Sequence, residues 1–117
     1  MKISANPTFT APVKLTVRGQ EALAEISITW RHMDRDKLKR WMGRPLTTDD
    51  DGIITVATEA AYLDEAIASW AGPVDDEGVA VPYSVGALAG LLRAHHTAGQ
   101  ELYNQYLKAL SESRVKN

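Results

Sequence analysis

From Phe9 to Val17 apolar residues alternate with more polar neighbours (Phe9, Ala11, Val13, Leu15, Val17). After Arg18-Gly19-Gln20 the alternation resumes through Ala22, Ala24, Ile26, Ile28 and Trp30. A period of two belongs to a half-buried strand, so the pattern predicts two strands joined by a short turn. A lone hairpin is marginal in water, and the apolar face of this one requires a cover from helices, a further strand or another subunit.

Beyond Trp30 the period lengthens. Asp34 is placed to cap a short basic helix with an apolar stripe of Leu38, Trp41 and Met42, closed by Gly43 and Pro45. Its acidic residues come early and Arg40 late, as the helix dipole favours. A second helix is expected to begin between Thr55 and Thr58 and to run to Trp70 or Ala71. Val56, Ala60, Leu63, Ile67 and Trp70 form its apolar face, and Gly72 and Pro73 stop it. Val79 to Tyr83 reads as extended, because Pro82 disfavours helix at Val81; Ser84 then caps a helix carrying Leu88, Leu91 and Leu92. After a bend near Thr97 to Gly99, a last helix reaches about Ser113 with Leu102, Tyr103, Tyr106, Leu107 and Leu110 on one broad apolar face.

These elements predict an α+β fold, an N-terminal β-hairpin packed against about four α-helices. Its 117 residues are most simply one domain over 1–117, with 1–8 and 114–117 flexible. Neither an internal repeat nor a low-complexity segment stands out.

Composition narrows the function classes. Without cysteine, disulfides, thiolate zinc sites and a cysteine nucleophile are excluded. No segment approaches about 18 uninterrupted apolar residues, which argues against a membrane span and leaves the cytoplasm as the expected compartment. The net charge is only −2, but it is unevenly spread. Arg31, Arg35, Lys37, Lys39, Arg40 and Arg44 crowd one segment, whereas Pro45 to Leu92 holds nine acidic residues and no lysine or arginine. The two halves are thus set either to attract each other or to present faces of opposite sign to partners.

Catalytic and metal chemistry find little footing. Asp49-Asp50-Asp51-Gly52 and Asp75-Asp76-Glu77-Gly78 lack the alternating ligands and closing glutamate of a calcium loop, and read as acidic turns. His95 and His96 are adjacent, about 100° apart on a helix, so they do not converge on a zinc ion. There is no G-x-S-x-G, phosphate loop or dinucleotide fingerprint. Gly86 and Gly90 sit inside a helix and are expected to permit close packing. No cofactor, metal or catalytic residue is therefore expected, and the chain reads as a non-enzyme. The basic segment with Trp30 and Trp41 offers phosphate neutralisation and stacking, making a small nucleic-acid-binding or regulatory protein the first rival. The pI near 5.9 and the acidic remainder weigh against it.

The segment from Ser69 to Ser84 carries the most specific pattern: Trp70, a glycine-containing acidic turn, then the Pro82-Tyr83-Ser84 entry to a helix, followed by Leu91-Leu92, a terminal helix and a lysine-asparagine end. In this order, over Thr55 to Asn117, the layout resembles the tail assembly chaperones of long-tailed bacteriophages. The resemblance implies a small protein that binds the helical tape-measure protein, keeps it soluble and helps recruit tail-tube subunits. It would act in the bacterial host cytoplasm and leave before the virion is complete. In this family a ribosomal frameshift near the end of the gene commonly yields a longer product. Val115-Lys116-Asn117 can be encoded GTA AAA AAC, which contains such a slippery run.

The resemblance assigns no residue roles. On physical grounds the expected partner-binding residues are Trp70, Tyr83, Leu91 and Leu92 at one edge and Arg35, Lys37, Lys39 and Arg40 on a charged face. The bland alternative for Trp70 and Tyr83 is to seal the core where two helices meet. Self-association is a further expectation for an uncovered apolar edge, and a structural tail or connector subunit is the second rival reading.

Overall fold

The computed structural model describes residues 7–17, 19 and 23–112. The expectations for 1–6 and 114–117, and most of the turn around Arg18-Gly19-Gln20, lie outside them. In chain order the elements are β1 (Thr8–Leu15), β2 (Ala24–Arg31), α1 (Arg35–Gly43), α2 (Val56–Asp64), β3 (Ile67–Ala71), α3 (Val85–Ala94) and α4 (Ala98–Glu112). The fold is α+β: a three-stranded antiparallel sheet in the order β1-β2-β3, with the hairpin's apolar face packed on helices.

β1 and β2 pair in register from Thr8 opposite Arg31 to Leu15 opposite Ala24. Val13, Leu15, Ile26, Ile28 and Trp30 are buried on one face, as the alternation requires. Outward on β1 lie Thr8, Thr10, Pro12 and Lys14. The carbonyl of Pro7 accepts from the N–H of His32, which fixes the phase of the ladder and turns the backbone groups of these same four residues toward the free edge. Pro12 has no N–H to offer there, and Lys14 adds a charge; both discourage another strand from adding to this edge.

The main correction concerns Ile67 to Ala71. The helix expected to run to Trp70 ends at Asp64, and the residues after it form β3, pairing with β2. Ser69 lies opposite Thr29 but Ile67 opposite Trp30, so Ala68 is an extra residue in a β-bulge. That extra residue lets Ile67 and Trp70, three positions apart, face the same side of a strand. A spacing of three is also that of a helix face, which is why the sequence pattern reads as helical here. β3 thus pairs the edge of β2 and widens the sheet, leaving the cover of its apolar face to the helices.

Gly72 and Pro73 therefore end a strand. Gly72 has φ +121°, and a Cβ there would stand 3.2 Å from Ile26 Cγ2, so the chain leaves the sheet in close contact with β2 through a residue that must be glycine-like.

The helix starts follow the caps read from sequence. Asp34 accepts from the Lys37 N–H at 2.8 Å, Thr55 from Thr58 at 3.2 Å and Ser84 from Ala87 at 3.0 Å. Trp41 is buried, but Met42 is 45 % exposed and does not join the expected stripe. Gly90 faces open space, so it serves no close packing. The core lies between the inner sheet face and the helices. Trp30 and Tyr106 meet there at 4.9 Å between ring centroids, and Tyr106 donates its hydroxyl to the Arg31 carbonyl at 2.7 Å.

Candidate protein-binding surface

Trp70 and Tyr83, thirteen positions apart, are brought together edge to face with centroids 5.0 Å apart. Trp70 Nε1 donates to the Val81 carbonyl at 2.8 Å, and the Tyr83 hydroxyl donates to the Asp64 carboxylate. Burial first, then that carboxylate, pushes the Tyr83 phenol well above its ordinary value. Both rings are half-buried and tie the end of α2, the strand β3 and the entry to α3 together. Leu91 is half-buried and Leu92 buried on α3, while Arg35, Lys37, Lys39 and Arg40 are all exposed on α1. The structure therefore separates the expected set into an aromatic seam, a helix face turned largely inward, and a solvent-facing cationic helix.

The charged halves do meet: the Arg44 guanidinium pairs with the Glu65 carboxylate, joining the end of α1 to the turn after α2, and the Arg31 guanidinium donates to the Asp64 carbonyl. Trp30 and Trp41 are buried, which removes both rings from any stacking role beside the basic helix.

The two acidic turns share one construction. Asp49 Oδ1 accepts from the N–H groups of Asp51 and Ile53, and Asp75 Oδ1 accepts from those of Glu77 and Val79. Each is closed by a glycine at positive φ, Gly52 at +77° and Gly78 at +81°. The leading aspartate of each run is thus used by its own backbone. Each turn also ends in an exposed branched aliphatic: Ile53 is 60 % exposed and Val79 57 %, with Ile54 and Val74 exposed nearby in sequence.

Two features had no signal in the linear pattern. Glu101 on α4 accepts from the Thr16 N–H at 3.0 Å, the Thr16 hydroxyl at 2.6 Å and the Thr97 hydroxyl at 3.1 Å, clasping the end of β1 to the start of α4. Desolvation raises its pKa, but the Thr16 and Thr97 hydrogen bonds, with a contribution from His95, outweigh this and hold the carboxyl below its ordinary value. The second is a cleft of about 230 Å³ between α2 and α4, lined by Leu46, Ile54, Glu59, Tyr62, Gln100 and Tyr103, with Gly99 at its wall. A Cβ at Gly99 would overlap the Glu59 carboxylate, so the glycine makes room for that side chain. A larger concavity of about 390 Å³ lies over the open sheet face, lined by Thr10, Pro12, Glu25 and Ser27 among others.

Among the described residues no cluster of His, Cys, Asp or Glu is arranged to hold a metal ion, and no helix is long and apolar enough to cross a membrane. What the surface does present is a set of fixed turns, exposed aliphatics and segregated charge on an α+β scaffold. The chain belongs to the phage tail assembly chaperone family, whose pattern it matches over residues 1–117. No curated protein and no solved structure matches it.

Proposed function

We propose that this chain binds the tape-measure protein of its phage during tail assembly, shields the client's apolar stripes, helps bring tail-tube subunits to it and departs before the particle is complete. Membership of the family along the whole chain is the observation that carries this reading. Exposed aliphatics at Ile53, Ile54, Val74 and Val79 are in keeping with weak, repeated contacts to an extended helical client, where many copies together gain what one contact lacks. The protein acts by binding in the host cytoplasm, without turnover or a cofactor, as a single domain. Trp70, Tyr83 and Leu91 remain the proposed contact edge, with the buried Leu92 supporting it from the core, and Arg35, Lys37, Lys39 and Arg40 the proposed charged face.

Deleting the gene from the phage and analysing purified wild-type particles tests the reading. The expected outcome is loss of tails in the deletion and no copy of this chain in wild-type particles by mass spectrometry. A stoichiometric presence in particles identifies a structural tail or connector subunit instead, and normal tails in the deletion contradict the proposal.

A further inference from the structure

We infer that the cleft between α2 and α4 is a docking site for a basic amphipathic helix, taking an apolar side chain together with a lysine or arginine from the next turn. The inference rests on the helical client proposed above and specifies its chemistry. At about 230 Å³ the cleft is below the roughly 300–1,000 Å³ of sites that enclose a drug-sized molecule, and its size suits side chains projecting from a partner. Leu46, Ile54, Tyr62 and Tyr103 give it apolar and aromatic walls, and Ile54 at its rim is 45 % exposed.

Charge selects the partner. The Glu59 carboxylate lines the cleft, and no hydrogen bond to it is formed among the described residues. The chain from Pro45 to Leu92, which supplies most of the lining, contains no lysine or arginine, and the Asp49–Asp51 run directly precedes the aliphatics at the rim. These carboxylates disfavour an anionic partner. A lysine or arginine lays its apolar stem along the tyrosines and brings its cationic head to Glu59, combining carboxylate pairing with cation–π attraction. A helix presents an apolar residue and a cation on one face at spacings of three or four, which is the pairing the cleft requires.

The test uses two designed helical peptides with the same leucine stripe, one flanked by lysines and the other by glutamates, titrated into the isotopically labelled chain. The lysine peptide is expected to shift the amides of Ile54, Glu59, Gln100 and Tyr103, and the glutamate peptide to leave them in place. Glu59→Gln and Ile54→Ser, each checked for a native melting transition, are expected to weaken the lysine peptide about fivefold or more. Equal binding of both peptides, shifts confined to other surfaces, or unaltered affinity in both variants overturns the inference. So do shifts of the same amides on concentrating the chain alone, which would make a second copy the occupant. Capture of the tape-measure protein distinguishes this inference from the reading beneath it. Capture undiminished by both variants removes the cleft and leaves that reading standing, whereas lysine-peptide binding in the cleft without capture upholds the cleft and removes that reading.

Discussion

Trp41 and Tyr62 hold each other reciprocally: Trp41 Nε1 donates to the Tyr62 carbonyl at 3.1 Å, the Tyr62 hydroxyl donates to the Trp41 carbonyl at 2.6 Å, and the two rings stack 4.3 Å apart at an interplanar angle of 2°. One residue comes from α1 and the other from α2, so this pair fastens the basic helix to the acidic half of the chain from inside the core. Tyr103 of α4 stacks on Trp41 at 5.5 Å, extending the contact to a third helix.

Tyr62→Phe keeps the stacked ring but leaves the Trp41 carbonyl without its donor. Loss of a buried hydrogen bond costs about 1–2 kcal/mol, so denaturant unfolding is expected to show a loss of that size with unchanged secondary structure. A loss below ~0.5 kcal/mol would mean that the hydroxyl contributes nothing beyond the ring.

Gly72 and Gly99 give opposite expectations for the same substitution. Alanine at Gly72 must adopt φ +121° with its Cβ against Ile26, and is expected to destabilise the chain by about 1–3 kcal/mol. At Gly99 the obstacle is the end of the flexible Glu59 side chain, while alanine adds up to about 1 kcal/mol of helix preference. Gly99→Ala is therefore expected to be neutral or stabilising. Thermal unfolding of the two variants side by side checks the difference in sign.

The hairpin and its inward residues were legible in the sequence because strand alternation is a local signal, as were the caps at Asp34, Thr55 and Ser84. The end of α2 was not. A bulge at Ala68 gives Ile67 and Trp70 a helical spacing within a strand, and only pairing with β2, about forty residues earlier, decides between the two. The partner-binding candidates were legible as residue types but not as a surface: Trp70 and Tyr83 spend their polar atoms on Val81 and Asp64, and Leu92 points inward. The α2–α4 cleft had no linear signature, since Leu46, Glu59 and Tyr103 converge only once the helices pack.

Glu101 makes the β1–α4 corner sensitive to acid. Its carboxyl is held below its ordinary value in the folded chain, so its stabilisation is present above the ordinary carboxylate pKa of 4.5 and is lost as pH falls through the lower folded value. Glu101→Gln is expected to be less stable than the parent at neutral pH, with the gap closing as pH falls below about 4.5. A gap constant across that range would contradict the clasp.

The buried tyrosines act at the other end of the pH scale. Desolvation pushes Tyr62 and Tyr106 up to about 12 from the ordinary 10.0. A folded pKa above the unfolded one gives a contribution fully present below pH 10 and lost as pH rises toward 12. Stability measured by denaturant unfolding is expected to fall across that window, and Tyr106→Phe to reduce the slope. In the absorbance difference between the parent and Tyr106→Phe, a tyrosinate signal from Tyr106 that appears only with unfolding supports the assignment; its appearance near pH 10 in the folded chain would contradict it.

Co-expression with the cognate tape-measure protein, followed by affinity capture of this chain, measures the central claim most directly. The account predicts a soluble complex carrying several copies of the chain per tape-measure molecule, with the tape-measure protein insoluble when expressed alone. A tape-measure protein that is equally soluble without this chain, and that is not retained with it, would contradict the account.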